Sequence, residues 1–345
     1  MIDLAKEHSG DCKKLHKKER LISLTMYAAL LIVWSYVFFS KFDITLYRQY
    51  FQIPLTMVFG SFLGGFTCEG GGAVAFPIFT KLLHISPAVT RDFSFAIQSI
   101  GMSFASITIL LRKIRIEMNV ILYAVMGGIA GIIIGTYTVS PYLSSPQVKL
   151  IFTMVITSFG VALFLKNYIF RGKECDQICN FTVRDSVIIS CVGVIGGVFS
   201  SIIGTGIHFI TFSFVTLFYR LNEKVATPTS ILIMAADSIF GFIFRKFIYN
   251  EFSDQAIVFW VLCIPVVALF APLGAIACSK VSRSFIVKVL LFLISIEFIS
   301  TLYIFKFNLN TICLSLLVIF VSMVIYLILI RISGIYALEM ERLKC

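Results

Sequence analysis

Two short stretches place small, polar and ionisable residues inside sequence that is otherwise apolar enough for a lipid bilayer. The first, GGFTCEGGGAVAFP at residues 64–77, sets Cys68 and Glu69 directly before three consecutive glycines, Gly70, Gly71 and Gly72. The second, GGVFSSIIGTGIHF at residues 196–209, carries Gly204, Thr205, Gly206 and His208. Consecutive glycines fray a helix, and lipid cannot hydrogen-bond the backbone groups they free. Those groups must face protein, water or a bound solute. A helix that begins inside the membrane presents unpaired N–H groups and the positive end of its dipole, which suits an anion without needing a full positive charge. Glu69 has two readings, a proton carrier or an acceptor that orients the loop. A carboxylate at that depth must protonate, pair or sit in a wet cavity.

An offset of 136 aligns the two stretches without a gap, matching Gly70 to Gly206, Glu69 to Thr205 and Gly72 to His208. Each is followed by a polar helix start, TRDFS ending at Ser94 and ATPTS ending in Thr229 and Ser230. Ser94, Gln98 and Gly101 then share one face of the following helix, and Ser230, Met234 and Asp237 hold the same positions in the second half. One polar stripe from each half is expected to face the centre. Each residue also has a bland reading. Ser94, Thr229 and Ser230 can bond their own helix backbone, His208 can sit at an interface, Arg91 beside Asp92 can be a hairpin-exit pair, and Asp237 can be a structural partner. Gly127, Gly128, Gly131 and Gly135, spaced along one span, are read as packing glycines, and Glu297, with no matching acid in the first half, as structural.

The elements that must hold these residues are membrane helices. The chain has 345 residues, 59% hydrophobic and 14% charged, with apolar runs of the roughly 20 residues a helix needs to cross a bilayer. The fold class is therefore an all-α polytopic membrane protein, with an inverted-topology repeat, two glycine-broken re-entrant hairpins and about eight full spans. The expected organisation is a basic cytoplasmic tail at 1–20, an anchor helix at 21–40, a first transmembrane repeat at 53–165, a cytoplasmic linker at 166–185, a second repeat at 186–304, a last span at 311–330 and a cytoplasmic tail at 331–345. The eight spans are expected at 21–40, 93–111, 118–139, 148–165, 229–244, 256–278, 285–303 and 311–330, with hairpins at 53–83 and 186–218. One break and three crossings per half is an odd number, so the second half enters the membrane inverted. Lys13, Lys14, Lys17, Lys18 and Arg20 precede the anchor, and Arg112, Lys113 and Arg115 fill a short turn, which places both in the cytoplasm. Arg245 and Lys246 fall on the opposite side, against that rule.

The net charge of +11 lies in such loops rather than on one basic face, so nucleic acid is not a partner. Cys68, Cys191, Cys263, Cys278 and Cys313 lie in apolar spans as small hydrophobes, and Cys175 and Cys179 lack further ligands for a metal. No cofactor is expected. The Asn180-Phe181-Thr182 sequon falls on the cytoplasmic side of this topology, where it goes unused. There is no HExxH signature, no Walker-type loop and no Ser, His and acid spacing of a hydrolase, which argues against an enzyme.

The glycine-rich break with GGG, a proline five residues after its last glycine and a polar helix start, repeated in both halves, resembles the TauE/SafE sulfite exporter family of membrane permeases, over roughly residues 54–303. In family terms Cys68 to Gly72 with Pro77 occupy the first signature, Gly204 to His208 the second, and Thr229 and Ser230 the second-half TS element. The second signature lacks two of three glycines and the proline, and the first has Cys68 where glycine is usual and Glu69 where an apolar residue is usual. The resemblance implies secondary transport of small sulfur-containing anions, such as sulfite or organosulfonates, without ATP hydrolysis. On this reading Cys68, Gly70, Gly71, Gly72, Ser94, Gly204, Thr205, Gly206, His208, Thr229 and Ser230 bind substrate, and Glu69 and Asp237 couple a co-transported proton or ion. Partners are a small anion and the lipid bilayer. The rival readings are an anion channel-like pore and a non-transporting receptor or scaffold of the same fold.

Overall fold

A computed structural model describes residues 2–67, 72–169, 174–178, 181–305 and 308–342, with side chains from residue 21 onward except 72–74, 310 and 333–342. Among the described residues every regular element is helical, and a single isolated parallel bridge joins Cys175 to Leu221. In chain order the helices are α1 (Ile2–Lys41), α2 (Thr45–Gln49), α3 (Gln52–Phe66), α4 (Gly72–Pro77), α5 (Pro87–Leu111), α6 (Met118–Thr138), α7 (Ser145–Phe164), α8 (Val183–Ile203), α9 (Ile207–Leu217), α10 (Glu223–Ile243), α11 (Asp254–Lys280), α12 (Arg283–Ile304) and α13 (Leu309–Arg342). Local chemistry explains several starts. Ser86 accepts the Val89 N–H with Pro87 in the first helical turn of α5, Thr182 and Asp185 form a capping box for α8, and Asn222 accepts the Lys224 N–H at the start of α10.

Eight helices are long and apolar enough to cross a membrane, as expected, but their membership differs from the expectation. The segment read as the first limb of the second hairpin is α8, a helix of 21 residues that qualifies by itself. The span expected at 229–244 starts earlier, as α10, continues through Pro228 and carries Glu223, Lys224 and Asp237; it is not among the eight. The first-half counterpart of α8 is α3, which has only 15 residues. The two breaks are thus built from limbs of unequal length.

Packing partners identify how the helices are laid together. Asp92 near the start of α5 meets Arg245 just beyond α10, Gln98 meets Ser238, and the Glu117 N–H just beyond α5 meets Thr229 near the start of α10. Helices α5 and α10 therefore run antiparallel. By contrast α6 and α8 run parallel, with Gly127 against Ser190, Gly131 against Val194 and Gly135 against Val198. Helices α3 and α11 are also parallel, with Tyr50 just before α3 against Phe259 early in α11 and Gly65 near the end of α3 against Ala271. A shift of 136 carries the starts of α5 and α6 onto those of α10 and α11, and those of α4 and α7 to within two residues of α9 and α12. The same shift exchanges the pair α3 and α11 with the pair α8 and α6. Around this centre, α7 packs on α12 and α13, and α1 leans on α11 through Tyr27, which donates to the Pro265 carbonyl, and Trp34, which donates to that of Val261.

Three helices end in a π-helical turn, at Ile78–Leu82, Leu165–Ile169 and Phe244–Ile248. Each turn holds a buried cation, Lys81, Lys166 and Arg245, and each cation is paired with a carboxylate from another element.

The glycines of α6 and α8 are in backbone contact. A Cβ at Gly127, Gly131, Gly193 or Gly197 would collide with a main-chain carbonyl of the facing helix, which is the packing role expected for Gly127 and Gly131. Gly131→Leu should force the two helices apart and destabilise the fold by about 3 kcal/mol or more. A melting temperature in detergent equal to that of the parent would refute this contact.

Candidate functional site

Of the first break, Cys68, Glu69, Gly70 and Gly71 lie outside the described residues, and Gly72 opens α4. The surroundings of the break are defined. A cavity of about 10 Å³ lies between α3, α4, α5 and α11, bounded by Ser61, Ala75, Ser94, Gln98, Gly101 and Val267. Three of these, Ser94, Gln98 and Gly101, are the expected polar stripe of α5. That volume holds about one water molecule.

The second break is fully described. Gly204 ends α8 with φ +83°, a left-handed conformation, and its N–H donates to the Ser200 carbonyl at 2.7 Å. A Cβ there would collide with the Arg91 carbonyl oxygen and approach the Ser94 Cβ to 2.8 Å. Glycine is required on both counts. Ser94 therefore borders the first-break cavity and touches the second break, and is the residue at which the two meet. Beyond Gly206, the Ile207 N–H at the start of α9 donates to the Ser200 Oγ at 3.1 Å. Thr205 Oγ1 lies 3.3 Å from His208 Nε2, and both side chains are buried. A core position, against the interfacial alternative, follows for His208.

Asp237 is buried against this arrangement. It is hydrogen-bonded to Ser200, and a Cβ on Gly128 would stand 3.0 Å from its Oδ1, which has no hydrogen-bond partner among the described residues. Ser200 thus ties the carboxylate of α10 to the first N–H of α9. Close by, Ser238 donates to Gln98 Oε1 at 3.3 Å, linking α10 to α5. Ser200, Ser238 and Ser61 carried no signal in the sequence beyond their place beside the breaks.

Thr229 and Ser230 are bonded to the main chain. The Thr229 hydroxyl donates to the Val225 carbonyl at 2.7 Å and accepts the Glu117 N–H at 3.0 Å, fastening the α5–α6 connection. Ser230 donates to the Thr227 carbonyl at 2.7 Å. Both follow the bland reading of a hydroxyl bonded to its own helix.

Charge is concentrated in three buried clusters beside the breaks. Asp92 accepts from Arg245 at 2.8 Å, from Arg91 at 3.1 Å and from the Ser253 N–H at 3.0 Å, so the expected pair of Arg91 and Asp92 is the edge of a larger junction between α5 and the end of α10. Arg245 also lies over the Tyr249 ring. This junction explains why Arg245 departs from the loop-charge rule. At the other end, Glu223 is held by Lys166 at 3.1 Å and by Arg283, with Asn167 and Glu174 completing the set. Burial pushes the Glu174 carboxyl up, its neighbour Glu223 adds to this, and Lys166 and Arg283 oppose it. The third cluster joins Lys81 to Glu297 at 2.7 Å. These partners are separated by more than 50 positions in most cases, too far for any local pattern to pair them.

The family model for the sulfite exporter TauE/SafE matches residues 53–304, more than two thirds of the chain. A search of curated proteins and one of solved structures each returned no match. Gly204→Ala, which must hold a left-handed conformation against α5, should cost about 2 kcal/mol. A parent-like melting temperature would show that the second break relaxes freely. The matched region takes in both breaks, all three charge clusters and every helix from α3 to α12, and the chain belongs to the TauE/SafE sulfite exporter family of membrane permeases.

Proposed function

We propose that the chain is a secondary carrier of small sulfur-containing anions, such as sulfite or organosulfonates, which works by alternating access. The family assignment supports the transport class. The observation that carries the rest is the junction at Ser94, where the first-break cavity and Gly204 of the second break meet on one helix. In this reading the N–H groups around Gly70 to Gly72 and Gly204 to Gly206, with Cys68, Thr205 and His208, cradle the anion. The antiparallel pair α5 and α10, and the exchange of partners under the 136-residue shift, support an inverted-topology repeat with re-entrant breaks. Both termini are placed in the cytoplasm, following the basic residues at 13–20 and 112–115.

Glu69 and Asp237 are the coupling groups. Asp237 has the better-described setting, because the Ser200 hydroxyl that bonds it also holds the α9 N-terminus. A change in its charge would be felt directly at the second break.

In proteoliposomes, labelled sulfite or a member of a sulfonate panel should show saturable flux that responds to a pH gradient. Gly71→Leu should abolish it, and Asp237→Asn should retain flux while losing the pH response. A wholly negative panel would overturn the substrate class. Flux that does not saturate would favour a channel.

A further inference from the structure

The Lys81 ammonium sits in a cage made only of oxygen. Its Nζ donates to Glu297 Oε1 at 2.7 Å, Thr301 Oγ1 at 2.7 Å and Ser300 Oγ at 3.0 Å, which accounts for its three protons. Thr153 of α7 donates to the same Glu297 oxygen at 2.7 Å. Lys81 is 7% exposed and Glu297 3%. The lysine belongs to the π-helical turn in which the first broken helix ends, and every oxygen in the cage belongs to α12 or α7. The cage therefore fastens the exit of the first break to a different part of the bundle.

The charge count makes this more than a static tie. Lys149, one turn before Thr153, donates to the carbonyl of Thr80, the residue next to Lys81, at 2.8 Å. Among the described residues, the charged groups facing one another here are Lys81 on the π turn, Lys149 on α7 and Glu297 on α12. Two lysines and one glutamate leave a net charge of +1, with Lys81 and Glu297 buried and Lys149 part-buried beside them. Loss of one proton brings the cluster to neutrality, the state a low-dielectric surrounding favours. Glu297 Oε2 has no hydrogen-bond partner among the described residues. Ring-like satisfaction of all three ammonium protons and an unused carboxylate oxygen beside them are what a site that holds and hands over a proton requires.

We propose that Lys81, with Glu297, Thr153, Ser300 and Thr301, is a proton-binding latch that holds the first broken helix closed and lets it move when the proton leaves. Lys81 Nζ gives its proton to Glu297 Oε1, the oxygen it already donates to, and the carboxyl group then releases it to hydroxide of the bulk solvent at high pH. The neutral amine then loses its charge-assisted bonds to the cage. Protonated Lys81 holds the latch, so closure is complete at low pH and is lost as pH rises. The inference rests on the carrier reading above in taking the first break as the moving part. It adds a coupling group distinct from Glu69 and Asp237.

The test measures backbone hydrogen exchange in the full-length purified protein, at about pH 6 and about pH 9, corrected for the intrinsic dependence of exchange on pH. In the parent, the segment 75–83 should exchange at least about tenfold faster at the higher pH, while 256–266, in α11, shows no such change. Lys81→Arg, which keeps its charge at both values, should stay protected at both. Lys81→Met should exchange quickly at both. No pH effect in the parent, or the same effect in Lys81→Arg as in the parent, would overturn the latch. Those two measurements decide it even if Lys81→Met does not fold. Because the readout uses no substrate, a negative transport panel leaves it standing. Normal transport with a pH-independent 75–83 segment would remove the latch alone.

Discussion

A cation buried where lipid cannot solvate it has to bring its own partner, and the bundle depends on three such pairings. Lys81, Lys166 and Arg245 each lie in a π-helical turn at the end of a helix, and each reaches a carboxylate on a distant part of the chain. Removing one partner of such a pair strands the other, which makes each pair an all-or-none contact. The effect on architecture is that the ends of α4, α7 and α10 are positioned by charge while their middles are positioned by packing. Breaks and crossings alone would leave those ends free to slide.

Between the charged ends, the helices divide by surface type. Helices α6 and α8, and likewise α3 and α11, touch through glycines and main-chain carbonyls. Such contacts have one good register and behave as rigid parallel pairs. Polar side chains instead collect along α5 and α10, where Gln98, Ser238, Ser94 and Asp237 face the breaks. Hydroxyl and amide contacts at 3.3 Å tolerate small shifts better than interlocked backbones do. The polar seam is thus also the compliant seam.

The class of fold was plain in the sequence because hydrophobic length is a local property. Eight crossing helices follow from runs of about 20 apolar residues, and the packing role of Gly127 and Gly131 follows from their spacing. The family assignment was legible too, since Gly70 to Gly72, Pro77 and Thr229 with Ser230 stand close together within their own halves of the chain. Local reading missed two kinds of feature. The extent of α8 was hidden because glycines at 193, 196 and 197 look the same whether they break a helix or pave its contact with a neighbour. The pairing of Lys81 with Glu297, 216 positions apart, has no signature at all. A lone lysine and a lone glutamate in separate apolar runs are each a request for the other. The Thr229 hydroxyl, read from the alignment alone, gave no sign of its bond to the Glu117 N–H, 112 positions away.

The π turns have one further consequence, and it concerns chain length rather than residue type. A π turn is an α-helical turn carrying one extra residue, and one residue rotates the rest of the helix by about 100° around its axis. At 78–82, 165–169 and 244–248 that extra residue is what aims the cation at its carboxylate instead of at lipid. These positions, unremarkable by composition, are therefore the ones where the register of the chain is counted most strictly. Exchanging one side chain there alters a contact, whereas losing a residue re-aims an entire helix end.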